Sequence, residues 1–263
     1  MERALQTAAT VMQAQQTNID IISNNLANIN TTAFKKSHAH FSTLFSQILT
    51  APGAVLSDGR TSPNGVQVGL GVELSSTDKS FMVGSLNNTN DPLDIAIEGE
   101  GFLQIVTPEG NIAYTRDGNL QVDGQTGELL SSQGYSLFPS VNLGDNVQEV
   151  QIKRDGTIEV KRAGVANTEE VGNLRLAAFA NNSGLIEMSQ NLYLDTTASG
   201  TPLEGTPGES GFGTIRQNFL EMSNVKVVEE VVHMITAQRA YEANSNSIKA
   251  ADQMLQQANN LAG

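Results

Sequence analysis

Side chains that could bind a metal or act in acid–base chemistry are few in this sequence. There are three histidines, His38, His40 and His233, and no cysteine. His38 and His40 are two residues apart, a spacing that places both on one face of a strand, but no carboxylate lies near them in sequence. The lack of cysteine excludes disulfides, thiolate zinc sites and cysteine nucleophiles. The sequence therefore predicts no metal site and no cofactor.

Glycine-rich and acidic segments also lack the context that catalysis or nucleotide binding requires. Gly69-Leu70-Gly71 has neither a third glycine nor a following helix, and residues 123–127 lack the alternating oxygen ligands of a calcium loop. No nucleophile elbow, phosphate-binding loop or zinc-protease motif occurs. We therefore expect a protein that is not an enzyme, although a carboxylate pair formed only by the fold remains an alternative.

The overall charge restricts the possible partners. The chain has a net charge of −13 and a pI near 4.6, with no basic run, which argues against nucleic acid or an anionic membrane as partner. No window approaches 18 consecutive apolar residues, and residues 1–30 lack the apolar core of a secretory signal. We expect no membrane insertion, and a location in the cytoplasm or export without a cleaved signal peptide.

The elements that would position any site begin with two long amphipathic ends. Both ends lack glycine and proline over long stretches, from Glu2 to Asn30 and from Phe219 to Ala262. Apolar residues recur in each at a heptad step, with Ile22 in a second row, as in a coiled-coil seam. The predicted assembly seam is Leu5, Met12, Ile19, Ile22, Leu26, Val227, Met234, Tyr241, Ile248 and Leu255.

Details of the two ends indicate how the helices start and pair. Ser223 or Asn224 is the predicted N-cap of the C-terminal helix, because acidic residues follow in the early helix. A helix of about 35 residues would reach roughly 50 Å. The two helices should pair with each other, either antiparallel or parallel. They could instead be ordinary amphipathic helices on a globular domain, but their narrow stripes suit packing among other helices.

The middle of the chain, roughly residues 69–213, is predicted to be β structure. Short alternating runs such as Phe102 to Val106 are separated by turns that contain glycine. Two similar segments, residues 114–122 and 152–160, each contain Arg-Asp-Gly. Because Asp-Gly supplies the positive φ that a tight turn demands, we predict a β-hairpin in both segments.

Two stretches rich in Gly, Pro and Ser, residues 51–71 and 199–213, read as connectors between the ends and the middle. The predicted fold is mixed α and β. Long N- and C-terminal helices form a coiled-coil-like terminal domain, and the central domain is all β. The predicted division is residues 1–45 with 216–263 as the helical domain that forms the polymer core, 46–72 as connector and insertion, and 73–215 as the β domain.

Four segments resemble the family of flagellar basal-body rod and hook proteins. The N-terminal match is the motif Asn24, Asn25, Leu26, Ala27 and Asn28, followed by Thr31 to Lys35. Asparagine bonds neighbouring backbone and tolerates left-handed conformations, so the motif suits the point where a helix ends. Residues 94–103, residues 114–118, and residues 221–225 leading to Glu242 match further family segments. The resemblance covers nearly the whole chain.

The length and one segment indicate a position within this family. A chain of 263 residues leaves little room for the outer domain of hook subunits. Residues 45–65 look like the insertion of distal rod subunits, with proximal rod and hook-type subunits as alternatives. The rod-specific insertion is represented by Gln47, Pro52, Gly53, Pro63 and Gly65. In the family this insertion contacts neighbouring subunits and stiffens the rod.

The resemblance implies a structural subunit of the bacterial flagellum that polymerises into a hollow helical drive shaft. The shaft transmits motor torque to the hook, and the terminal helices line its inner wall. Implied partners are other copies of the chain, the adjacent proximal rod and hook proteins, the surrounding L- and P-ring bushing, and the flagellar type III export apparatus. The implied location is the periplasmic rod of the basal body. A secreted β-rich binding module or enzyme is the rival from another class.

Overall fold

The computed structural model describes residues 2–53, 64–164, 167–209 and 211–262. The chain forms two compact units, so it crosses between them four times. The first unit comprises residues 1–27, 37–79 and 226–263, and the second comprises residues 28–36 and 80–225. The units reflect packing within one chain. The division predicted from the sequence concerns something else, namely which residues would form the core of a polymer and which its outer domain. That division stays a prediction.

The described part of the first unit contains both long helices and two antiparallel strand pairs. Its elements are α1 (Glu2–Ala27), β1 (Ser37–Thr43), β2 (Ser46–Thr50), β3 (Val66–Gly69), β4 (Val72–Lys79) and α2 (Val227–Ala262). β1 pairs with β4, and β2 pairs with β3. β structure therefore begins at Ser37, earlier than the predicted start at Gly69. His38 and His40 lie on one face of β1, as their spacing predicts, and both are exposed.

Two long helices were expected from the absence of glycine and proline, and both form. α1 has 26 residues and α2 has 36. The predicted N-cap is wrong, because α2 begins at Val227, three residues after Asn224. The Asn224 side chain is bonded to the backbone of Lys36 and Ser80 instead, so it is not free to cap the helix.

The helices α1 and α2 pack against each other within the first unit. Asn25, near the end of α1, contacts Glu230 in the first turn of α2. Farther along, Ala14 in α1 and Ala251 near the other end of α2 are also buried. The pair is therefore antiparallel, which settles the direction that the sequence left open.

The described part of the second unit is almost entirely β, with one 3₁₀ turn at Asn182–Gly184. Its strands are β5 (Leu86–Asn88), β6 (Ile95–Glu98), β7 (Phe102–Val106), β8 (Ile112–Thr115), β9 (Leu120–Val122), β10 (Leu129–Ser131), β11 (Ser136–Phe138), β12 (Val147–Ile152), β13 (Thr157–Arg162), β14 (Glu169–Asn173), β15 (Leu176–Ala178), β16 (Ile186–Glu187), β17 (Leu192–Leu194), β18 (Leu203–Gly205), β19 (Thr214–Gln217) and β20 (Phe219–Glu221). All of their pairings are antiparallel.

A nine-stranded sheet organises the second unit, with β7 at its centre. Leu103 and Ile105 of β7 face a core of aliphatic side chains, whereas Phe102 faces an aromatic cluster on the other side of the sheet. Both faces of β7 are covered, which explains why this strand is an apolar run rather than a clean alternation. The aromatic cluster consists of Phe81, Phe102, Tyr114, Phe179 and Tyr193.

The two Arg-Asp-Gly segments fold differently. The second is the predicted hairpin: β12 pairs with β13 around a turn in which Gly156 has a φ of 85°. The first prediction is wrong, because β8 pairs with β7 and β17, while β9 pairs with β10. Gly118 is required for a different reason: a Cβ there would lie 1.8 Å from the carbonyl oxygen of Ile95.

Candidate assembly site

Three charged side chains from distant parts of the sequence meet inside the second unit. Lys35, Arg116 and Glu221 are almost completely buried, with exposures of 0%, 2% and 1%. The Lys35 ammonium donates to Oε1 of Glu221, and Nε of Arg116 donates to Oε2 at 2.9 Å. Each carboxylate oxygen therefore faces a cation, as a buried charge requires. We call these three residues the ion cluster.

Arg116 also satisfies the backbone around the end of β6. Its Nη1 donates to the carbonyl of Gly101 at 2.9 Å, and its Nη2 donates to the carbonyls of Ile97 and Gly99 at 3.2 and 2.9 Å. These carbonyls belong to the tight link between β6 and β7, where Gly99 and Gly101 both have positive φ. A planar guanidinium with several fixed donors suits this task, and lysine would not replace it.

The charged form is favoured at Glu221 but disfavoured at Lys35. Burial alone would raise the pKa of the Glu221 carboxyl, but the charges of Arg116 and Lys35 outweigh it and hold that pKa below its ordinary value. Burial, assisted by the charge of Arg116, lowers the pKa of Lys35 to about 8 despite the opposing effect of Glu221. Arg116 and Glu221 are therefore the firmly charged pair, and Lys35 is the member whose charge is disfavoured.

Lys35→Met should reveal this inequality through the pH dependence of stability. With a folded pKa of about 8 against an ordinary 10.5, only the unfolded chain keeps the Lys35 proton between these values. The native protein should therefore gain unfolding free energy relative to the variant as pH rises, by about 1 kcal/mol between about pH 8 and 9. Urea denaturation followed by circular dichroism at both pH values measures the difference, and parallel pH profiles would contradict the assignment.

The segments that lead into and out of the second unit are hydrogen-bonded to one another beside the ion cluster. Asn224 accepts from the backbone N–H of Lys36 at 2.9 Å and donates to the carbonyl of Ser80 at 2.7 Å. The N–H of Ser80 donates to the carbonyl of Lys36 at 3.0 Å. Residues adjoining three of the four crossings between the units are thus joined by one asparagine.

The Asn-rich motif has one buried member, Asn25, in the first unit. Its amide donates to the carbonyl of Ser37 at 3.0 Å and accepts from the Ser37 N–H at 2.9 Å, so it pairs with β1 as a neighbouring strand would. The same amide donates to Glu230 of α2 at 3.4 Å. Asn25 therefore bonds backbone distant in sequence, not its immediate neighbours as the sequence suggested. Asn24 and Ala27 are exposed, and Leu26 and Asn28 are half-buried.

Most of the predicted seam is at least half-buried within the single chain. The half-buried members are Leu5, Met12, Ile19, Leu26, Met234, Tyr241, Ile248 and Leu255, and Ile22 is buried. Val227 lies apart, with 48% of its surface exposed. Glu230, Ala237 and Ala251 complete the buried face of α2. Whether these residues also contact other subunits stays a prediction.

A second apolar face of α2 is uncovered. Val228, Val231, Val232 and Ile235 are 76%, 37%, 55% and 46% exposed. Their spacing of three and four residues places them on one side of the helix, roughly opposite the seam. We call this set the outer stripe. The predicted seam does not include the outer stripe, because Val228 and Ile235 are offset by one residue from the heptad positions of Val227 and Met234.

The described residues of the predicted insertion lie in or next to β2 and β3. Gln47 is an exposed residue of β2, and Pro52 and Gly53 are exposed beyond its end. Gly65 is half-buried and close to the β2 backbone, since a Cβ there would be 2.7 Å from the Thr50 carbonyl oxygen. Pro63 lies outside the described residues. Phe45, just before β2, is 92% exposed.

Other chemistry has little support in the described part of the chain. No group of three or more His, Asp or Glu side chains there could hold a metal ion. His38, His40 and His233 are all exposed, and His40 is bonded to Asp78 across β1 and β4. Neither described helix is long and apolar enough to cross a membrane.

The sequence alone does not reveal that the three ion-cluster residues meet. Lys35, Arg116 and Glu221 each lie in a different family-like segment, and that coincidence was the available signal. Arg116 was assigned to a turn because its neighbours Asp117 and Gly118 favour one.

The segments carrying these residues match known families. Residues 5–35 match the flagella basal body rod protein family, residues 96–160 match the flagellar hook protein FlgE/F/G D1 domain, and residues 216–261 match the flagellar basal body rod FlgEFG protein C-terminal family. The ion cluster takes Lys35, Arg116 and Glu221 from one match each.

Full-length similarity extends to characterised proteins. The chain is 46% identical over 258 residues to the flagellar basal-body rod protein FlgG of Buchnera aphidicola subsp. Acyrthosiphon pisum, covering 98% of this chain and 99% of the relative. It is 43% identical over 260 residues to FlgG of Caulobacter vibrioides, with 98% and 99% covered. Identity to FlgG of Bacillus subtilis is 36% over 269 residues, with 99% of each covered.

Proposed function

This chain belongs to the FlgG group of flagellar basal-body rod proteins, and from that premise we propose that it is a structural subunit of the distal rod. Copies of the chain would polymerise through head-to-tail contacts that do not close, which generates an open helical filament. The filament is a hollow drive shaft that carries motor torque to the hook and supports motility. The role is mechanical, and we propose no catalytic activity.

The observation that carries this proposal is the outer stripe on α2. A helix that is apolar on two opposite faces is typical of packing in the interior of an assembly. One face is covered by α1 of the same chain, and the outer stripe has no cover within the described residues. A neighbouring subunit's helices would cover it and extend the antiparallel pair into a coiled-coil-like polymer core. Ordering the helix ends on assembly would couple folding to polymerisation.

Val232→Asp tests this directly. Val232 is 55% exposed, so the monomer should keep its fold, but a buried carboxylate in the assembled core would cost more than the 1.4 kcal/mol that a factor of ten represents. We expect the critical concentration for assembly, measured by sedimentation and electron microscopy, to rise at least about tenfold. Ser247→Asp, at an exposed polar position of the same helix away from the outer stripe, is the control. Normal polymerisation of Val232→Asp would remove the basis of the proposal.

The hydrogen bonds at the unit crossings support a role in carrying load. A subunit of a drive shaft must resist being pulled apart, and that resistance needs several bonds acting together. Asn224 and the ion cluster supply such bonds within the second unit.

We propose that residues 1–45 with 216–263 form the polymer core of the rod, 46–72 the connector with the insertion, and 73–215 the outer β domain.

The remaining partners follow from membership of the family. The β2–β3 strand pair, with exposed Phe45 and Gln47, would contact neighbouring subunits as the rod-specific insertion. Axial neighbours are the proximal rod and hook proteins, and the L- and P-ring bushing surrounds the shaft. The subunit would reach the periplasmic rod through the flagellar type III export apparatus, without a cleaved signal peptide. A proximal rod or hook-type axial subunit is the nearest alternative.

A further inference from the structure

The loop between β4 and β5 is held by the ion cluster in the second unit. The carbonyl of Met82 accepts from Lys35 Nζ at 2.7 Å and from the Asn224 amide at 3.2 Å. The N–H of Gly84 donates to Glu221 Oε1 at 2.9 Å. A Cβ at Gly84 would lie 1.9 Å from the Met222 carbonyl oxygen, so the backbone fits closely here. The conformation of this loop is thus fixed by buried charged groups.

The same loop displays apolar side chains to solvent. Phe81 turns inward and packs edge-on against Phe102 and Tyr193, at 5.4 and 5.3 Å between ring centroids. Met82 and Val83 point outward and are 73% and 42% exposed. Methionine is enriched at protein interfaces, and a rigid backbone loses little entropy on binding. Met82 and Val83 therefore form a preorganised apolar knob.

A groove on another part of the second unit is suited to such a knob. Its volume is about 390 Å³, within the range of pockets that enclose ligand-sized groups. Pro92, Leu93, Val122, Leu143, Val147 and Val150 provide its apolar lining. Val122 belongs to β9, and Val147 and Val150 belong to β12. Glu149 is the only charged side chain among the residues that line it.

We propose that Met82 and Val83 of one subunit insert into this groove on the next subunit. The proposal rests on the proposed function, because it requires a polymer. The knob and the groove are different surfaces of the same chain, so their contact is head-to-tail and can repeat without closing. Charge is compatible with this occupant in an acidic protein: residues 80–90 carry no charge, so the knob brings no second carboxylate to the Glu149 side chain in the groove.

Cysteine cross-linking tests the contact cleanly because the chain has no native cysteine. Rods are isolated from cells in which Met82→Cys/Val122→Cys replaces the native subunit, and are then oxidised. We expect a ladder of covalent multimers on non-reducing gels, since a disulfide needs Cα atoms within about 7 Å. Rods made from a mixture of the two single variants should give dimers only. Met82→Cys/Ile186→Cys, which pairs the knob with exposed Ile186, should give no ladder.

A charge in the knob provides a second measurement. Met82→Asp should reduce rod yield at least about tenfold, whereas Ile186→Asp, an exposed apolar residue of the same unit, should leave it near native. Rods that form normally from Met82→Asp and yield no Met82–Val122 cross-link would overturn the inference and leave the proposed function intact. Cross-linking of Val122 to Phe45→Cys instead would show that the insertion occupies the groove, and would also overturn it. Failure of the native chain to form any rod would overturn both proposals.

Discussion

Arg116→Met is expected to lower the free energy of unfolding by at least about 4 kcal/mol, while Arg154→Met changes it by less than about 0.5 kcal/mol. Both residues occupy the first position of an Arg-Asp-Gly tripeptide. Arg116 is 2% exposed and donates to Glu221 and to three backbone carbonyls, whereas Arg154 is an exposed turn residue. Losing Arg116 leaves those carbonyls without a donor and weakens the pairing of a buried carboxylate.

Urea denaturation followed by tyrosine emission measures this pair of variants. Three of the four tyrosines, Tyr114, Tyr135 and Tyr193, lie in the second unit, and the chain has no tryptophan. The signal therefore reports mainly the unit that contains the ion cluster. A loss of about 4 kcal/mol is a large fraction of a typical domain's stability, so a milder variant is also needed. Arg116→Lys keeps the charge, and its free energy of unfolding should lie between those of the native protein and Arg116→Met. Equal effects of Arg116→Met and Arg154→Met would refute the assigned role.

Glu221→Gln is expected to cost about 3–5 kcal/mol, because it leaves Lys35 and Arg116 close together in the interior without a counter-charge. Glu221 is 1% exposed and accepts from both cations and from the Gly84 N–H. The matched control is Glu169→Gln, which breaks a surface pair with Arg162 and should cost less than about 1 kcal/mol.

The pH dependence of the unfolding free energy of Glu221→Gln shows whether the variant is destabilised by the lost charge or by a packing defect. In the native protein the folded pKa of Glu221 lies below its ordinary value, so its stabilisation is present at neutral pH and is lost as pH falls through the folded pKa. Glu221→Gln should remove that part of the acid sensitivity, and its unfolding free energy should vary less between about pH 5 and pH 3. An unchanged acid profile with reduced stability would indicate a packing defect rather than a lost charge.

These variants also connect the ion cluster to assembly. Lys35, Glu221 and Asn224 hold the carbonyl of Met82 and the N–H of Gly84, so loss of the cluster would loosen the knob as well as the unit. Glu221→Gln should therefore weaken rod formation even under conditions in which the second unit stays folded. Met82→Asp acts on the knob alone, which allows the two effects to be distinguished.

Local features of the sequence determined the long elements. Stretches without glycine or proline and with a helical repeat became α1 and α2, because propensity and one apolar face act between near neighbours. The hairpin of β12 and β13 followed from local pattern too, since a turn with Gly156 at positive φ joins two strands of matching alternation. The family resemblance rested likewise on short contiguous motifs, and the comparisons confirm it.

The tertiary structure decided which of two similar segments became a turn. Around Arg116, the carboxylate of Glu221, 105 residues away, and the carbonyls between β6 and β7 offered more binding energy than a solvent-exposed turn could. The same long-range competition engaged Asn224 with Lys36 and Ser80 and moved the start of α2 to Val227. Sequence pattern reports the energies of neighbours along the chain. Buried charges and hydrogen bonds between distant residues depend on which segments the fold brings together, and no local pattern encodes that.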